Sequence, residues 1–154
     1  GIDPGINAVG YGIIKLNDYN NISYLKSGII RTSVADLLHV RLGIITCQIE
    51  ELLSQFKPNL VGMEEVFINR NAASSIKLSH ARGAIMGVIG KNAHNFKELS
   101  PNKIKQILTG NGHADKTQVA YMVKLLIKGI NKEVAKDESD ALAIAYALSI
   151  QTHY

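Results

Sequence analysis

The chain has 154 residues, 46% hydrophobic and 19% charged, with a formal net charge of +4 and one cysteine. That length suits one domain with a sizeable core. A lone Cys47 excludes an internal disulfide, and no apolar run nears the length of a membrane span. The start carries neither a basic segment nor an apolar signal core, so a cytoplasmic protein is expected.

In chain order, Gly1-Ile2-Asp3 reads as the last part of a strand whose start lies upstream, and Pro4-Gly5 supplies the bend that ends it. Val9 to Leu16 predicts a second strand. A turn over Asp18 to Asn21 then leads to a third strand, Ile22 to Thr32, in an antiparallel meander. Ser33 with Asp36 resembles a capping box, and Leu38, Leu42, Ile45, Ile49 and Leu52 recur at helical spacing until Pro58 stops the pattern. Cys47 falls in this helix and is expected to be a mildly buried thiol.

Asn59 to Val66 is a short apolar run. A strand that follows a helix after three strands implies a crossover, which makes it a parallel neighbour of strand one. Glu64 and Glu65 stand at its end; alternation turns only one of them inward, and the sequence leaves open which.

Ala72 to His94 predicts a long helix rich in small residues, Gly83, Gly87 and Gly90 among them. Each glycine costs roughly 1 kcal/mol against alanine in a helix, so several together imply close approach of another backbone, from the sheet or a second subunit. His80, inside this helix, is expected to pack, and the five histidines share no metal-ligand spacing.

Phe96 to Leu99 is a brief strand. Ser100-Pro101 opens a helix to about Leu108, Thr109 to His113 is a loop, and Asp115 caps a helix to about Lys128. Glu138 to Gln151 predicts a last, buried helix. This order implies one α/β domain with a mixed sheet.

Charge is uneven along the chain. Residues 1–75 carry six Lys/Arg against seven Asp/Glu, and residues 76–154 carry eleven against six. The basic excess lies between Lys97 and Lys136. Such an excess can simply aid solubility, but beside acids it also suits phosphodiester chemistry, where cations hold the substrate and carboxylate-bound metals cut it.

Acids gather at element ends: Asp3 after strand one, Glu64 or Glu65 after strand four, Asp137 and Asp140 at the last helix. The last two, three residues apart, share a helix face at about 5–6 Å. Taken alone, acids in a first turn are a common helix cap. Strands one and four as parallel neighbours would bring all of them to one carboxyl edge. Two carboxylates about 4 Å apart repel by about 4 kcal/mol at an effective dielectric of 20, so the cluster calls for a hard divalent cation such as Mg²⁺ or Mn²⁺.

Gly1-Ile-Asp-Pro-Gly5, Gly10-Tyr-Gly12, Met63-Glu-Glu-Val-Phe67, His80-Ala-Arg-Gly83, Lys103-Ile-Lys-Gln106, Asp115-Lys-Thr-Gln118 and Asp137-Glu-Ser-Asp-Ala-Leu-Ala143 together resemble the RuvC family of bacterial Holliday junction resolvases. The resemblance runs in order over nearly the whole chain. It implies a ribonuclease H-like fold with a five-stranded mixed sheet flanked by helices, and a homodimer. It also implies paired Mg²⁺-dependent nicks in four-way junction DNA, with two cations per site, and partners of the RuvA and RuvB branch-migration type.

Carried over by position, the resemblance implies catalytic and metal-ligating roles for Asp3, Glu64, Asp137 and Asp140, with Lys105 and Lys116 close to the scissile phosphate. It implies DNA contact by Phe67, Arg70, Lys77, Arg82, Lys103, Lys105 and Lys116. Phe67 also suits a core position; stacking on an unpaired base would contribute roughly 1–3 kcal/mol. The sequence departs from the family pattern at the upstream part of strand one and in lacking a basic tail after Tyr154.

Two rival classes remain at this point. An Asp followed by a glycine turn also resembles the phosphate loop of actin-like ATPases and sugar kinases, although 154 residues leave no second lobe to close over ATP. A junction-binding module without catalysis is the other, and an intact acid set argues against it.

Overall fold

A computed structural model describes residues 1–17, 21–66 and 72–151. Its elements are β1 (Ile2–Asp3), β2 (Ala8–Leu16), β3 (Ile22–Arg31), α1 (Leu38–Phe56), β4 (Val61–Glu64), α2 (Ala72–Lys91), β5 (Phe96–Leu99), α3 (Pro101–Thr109), α4 (Lys116–Leu126) and α5 (Lys136–Gln151). The five strands form one sheet in the order β3-β2-β1-β4-β5. β1 to β3 pair antiparallel, as the short connections demand, and β4 lies parallel to both β1 and β5. Of the turn expected over Asp18 to Asn21, residues 18–20 lie outside the described residues.

Helices cover both faces, as a parallel sheet centre requires. On one face α1 and α2 bury Ile45, Ile49, Ala81, Ile85 and Ile89 against Ile2, Val9 and Met63. On the other, α5 lies over the strands with α3 and α4 beside it, enclosing Leu99, Ile104, Val119, Val123, Leu142 and Ile144. The backbones of α5 and β2 meet closely because of strand glycines: a Cβ on Gly10 would collide with the Asp137 carbonyl, and one on Gly12 would lie 2.8 Å from Leu142. Gly62 of β4 leaves the same kind of room for Leu148.

Several local expectations are corrected. Ser33 does not cap α1: its Oγ accepts from the Ala35 N–H at 3.2 Å, a local turn that competes with capping, and Leu37 precedes the helix without a side-chain cap. Cys47 is exposed rather than mildly buried, because it lies on the α1 face opposite Ile45 and Ile49. His80 likewise is exposed on α2. A Cβ added at Gly83, Gly87 or Gly90 of α2 would meet nothing within 4 Å among the described residues, so the sheet does not use the room they leave. The Asp115 cap is present in full, with Gln118 bonding back to the Asp115 N–H.

Candidate metal and nucleic-acid site

The parallel register sets Ile2 beside Met63, so the next residues, Asp3 and Glu64, end adjacent strands at one edge. Strand alternation sends Val61 and Met63 to the α1/α2 core, and Gly62 and Glu64 to the α5 face. This decides between the two glutamates: Glu64 is half-buried and faces the other acids, whereas Glu65 is exposed beyond the strand.

The first turn of α5 completes the group. α5 starts at Lys136, two residues earlier than the sequence suggests, which draws Asp137 fully into the helix. Because Asp3 pairs with Gly10 and Gly10 backs onto the Asp137 backbone, β1 and α5 meet at the site.

Electrostatics shows the acids of α5 acting on those of the strands. The carboxyl of Asp3 is pushed up to about 7, first by burial and then by the charges of Asp140, Asp137 and Glu64. Glu64 is raised by burial and by Asp140, with Lys116, Lys105 and Arg82 opposing. Lys116 Nζ donates to Asp140 Oδ2 at 3.2 Å. Burial pulls Lys116 down, but Asp140, Asp3 and Glu64 together hold it above the usual lysine value.

Among the described residues no three acids, histidines or cysteines are drawn close enough to form a finished metal cage. The donor set, carboxylate oxygen throughout and open to solvent on one side, fits a hard divalent cation and not zinc.

The cations expected on DNA divide. Lys77 and Lys103 are exposed on α2 and α3, Lys105 is half-buried beside Glu64, and Lys116 is exposed. Phe67 and Arg70 lie outside the described residues. Arg82 turns inward: its side chain is only 12% exposed, Nη1 donates to the Glu64 carbonyl at 2.7 Å, and Nη2 pairs with Glu98 of β5. It fixes the end of β4 instead of presenting a free guanidinium, a role hidden in sequence because Glu98 is 16 residues away.

Two further supports were not foreseen. Arg41 of α1 is buried and bonds Thr32 and the Ile6 carbonyl, each at 3.0 Å, tying down the β1–β2 turn just after Asp3. Glu138, between the two aspartates, is buried and faces away from the cluster. Burial would raise its carboxyl, but Lys132, the Ala135 N–H and Ser27 hold it below the usual glutamate value. Only the helical angle separating Glu138 from its neighbours could have signalled this.

An open cleft of about 830 Å³, lined by Ile14, Leu16, Phe56, Val61 and Phe96, lies at the opposite edge of the sheet. It is apolar and holds none of the four acids, so it is not the chemical site.

A family model described as crossover junction endodeoxyribonuclease RuvC matches residues 1–148. The crossover junction endodeoxyribonuclease RuvC of Orientia tsutsugamushi (strain Boryong) is 50% identical over 150 residues, covering 97% of this chain and 93% of that protein. The Thermus thermophilus RuvC structure superposes with a TM-score of 0.90 at 30% identity, covering 99% of this chain and 93% of the other. T. thermophilus RuvC in complex with Holliday junction substrate gives 0.89 at 27%, with the same coverage. The five-stranded mixed sheet is therefore the ribonuclease H-like fold.

Proposed function

Because the chain belongs to the RuvC family of crossover junction endodeoxyribonucleases, we propose that it resolves four-way DNA junctions by paired, symmetric nicks. The observation that carries this is the gathering of Asp3, Glu64, Asp137 and Asp140 at one sheet edge, where the charges of the other three bear on Asp3, with Lys116 bonded to Asp140. Neither a phosphate-loop kinase nor a passive junction-binding module calls for four repelling carboxylates.

We assign these four acids as ligands of Mg²⁺, a hard cation suited to an all-carboxylate site, and two ions as the complement of four carboxylates. When bound, the cations supply an activated water and a stabilised leaving 3′ oxygen, which leaves a 5′-phosphate. The protein's own part is positional. Asp3 and Glu64 are fixed by strand pairing, and Asp137 and Asp140 by the α5 turn seated on Gly10. Lys116 and Lys105 offset phosphate charge beside Asp140 and Glu64. Lys77 and Lys103 suit the DNA backbone, and Phe67 and Arg70 the exchange region of the junction.

A homodimer supplies the two sites that paired nicks need. The exposed glycines of α2 are the surface we assign to its contact, since none of the described residues fills the space beside them. Junction-binding and branch-migration proteins of the RuvA and RuvB type are assigned as partners on the family's account.

The test is a labelled four-way junction beside a linear duplex of the same sequence, each with Mg²⁺. Nicks at symmetric positions in two junction strands, with the duplex left intact, are expected. Equal cutting of the duplex, or ATP turnover without cutting, would remove the proposal.

A further inference from the structure

Asp137 and Asp140 stand on the first turn of a helix whose approach, Lys128 to Ala135, has no regular structure beyond a bridge from Lys128 to Ser23. The charges of Asp137 and Asp140 oppose that of Asp3 across the gap to β1, and the approach includes Gly129 at φ +89°, a backbone conformation that glycine adopts without strain. Something must hold the turn down.

Glu138 is placed to do so. It is 5% exposed, and its neighbour across the interface, Ser27 of β3, is 7% exposed. Oε1 accepts from Lys132 Nζ at 2.6 Å and from Ser27 Oγ at 3.2 Å, while Oε2 accepts from the Ala135 N–H at 3.0 Å. Lys132 also reaches the Ser27 carbonyl at 3.4 Å, and the Tyr24 hydroxyl accepts from the Ser27 N–H at 2.9 Å. One carboxylate thus joins the approach segment, the helix start and a strand 111 residues away in sequence.

We propose that Glu138, acting with Lys132 and Ser27, is a positioning residue that holds the first turn of α5 on the sheet and so sets the affinity of the acid cluster for its divalent cation. The inference rests on the metal-site reading above. It concerns a residue that touches neither cation nor DNA: Glu138 points to β3 while Asp137 and Asp140 point to β1. Removing the strut lets the turn slide outward from Gly10, so the aspartates lose their set distance from Asp3 and Glu64. The cation must then supply the ordering itself, which weakens its binding.

The experiment uses Mn²⁺ as probe on the parent, Glu138→Gln, Lys132→Met and the conservative Lys132→Arg. Two quantities are read: the Mn²⁺ concentration giving half the cation-induced rise in Tm, and that giving half-maximal junction cutting. Glu138→Gln and Lys132→Met are expected to raise both by about 10-fold, the usual effect of losing a group behind metal ligands. Cutting at saturating Mn²⁺ and junction binding in chelator should stay within about twofold of the parent, and Lys132→Arg should restore the parent midpoints. The neutral Glu138→Gln/Lys132→Met pair guards against a folding defect, since it leaves no buried charge unpaired. Unchanged Mn²⁺ midpoints in variants whose Tm is lowered would show a purely structural strut and overturn the inference. Failure of the parent to cut junctions would instead overturn the proposed function, and the Tm midpoints would still decide the role of Glu138.

Discussion

Asp140→Asn is expected to leave the protein folded and able to bind a four-way junction while cutting falls on the order of 10³-fold or more. Asp140 is the hub of the site: it is the leading charge acting on both Asp3 and Glu64, and it bonds Lys116. Asparagine keeps the size of the side chain and its acceptor for Lys116, but removes the anionic oxygen a hard cation needs. The loss is therefore chemical and not steric. Glu64→Gln should behave in the same way, whereas Glu65→Gln, altering an exposed carboxylate beyond β4, should cut within about twofold of the parent. Junction cleavage and gel-shift binding, measured side by side, check all three.

In chelator, Asp3→Asn should be more stable than the parent at pH 8, with only about a third of that advantage left at pH 5. The Asp3 carboxyl titrates near 7 in the folded chain against the ordinary value of 3.8. Between those values the folded state keeps a proton that the unfolded state has lost. Parent stability therefore falls as pH rises through this window, and the loss is complete above pH 7. Glu64 is raised too and adds to the same slope. Glu138, held low by its partners, acts oppositely, its contribution lost only as pH falls below the usual glutamate range. With allowance for the partial exposure of Asp3, the gain at pH 8 is on the order of 2 kcal/mol, or about 5 °C in Tm. Thermal melts at the two pH values check this. A Tm that rises from pH 5 to pH 8 in the metal-free parent would contradict it.

The order of strands and helices was legible because each element carries a local signal: β-prone runs between turns in β2 and β3, and a 3.6-residue stripe in α1. Asp137 and Asp140 could be placed on one face from their spacing alone. The family resemblance named Glu64, but strand alternation alone left Glu64 and Glu65 open, since the choice depends on the register of β4 against β1, a pairing between distant segments. The glycines mislead in an instructive way. Those of α2 drew attention as a sign of close packing, yet within the chain it is Gly10, Gly12 and Gly62 of the strands that let backbone and side chains of α5 come close. Helical glycines stand out against a strong preference, and strand glycines beside a turn do not.

Arg82 and Glu138 escaped for another reason. Each is a charged side chain in a charged neighbourhood, which suggests solvent or substrate. Only the fold reveals the Glu64 carbonyl and Glu98 around Arg82, or Ser27 and Lys132 around Glu138. Their burial turns them from candidate contacts into supports: one for β4, the other for α5.

Crystals of the metal-free protein soaked in Mn²⁺ and measured at the manganese absorption edge give the most direct view of whether distant acids share a cation. Anomalous density bounded by Asp3, Glu64, Asp137 and Asp140, and lost in Asp3→Asn crystals, is the expected result. Manganese bound elsewhere with that edge of the sheet left empty, or undiminished density in the Asp3→Asn protein, would contradict it.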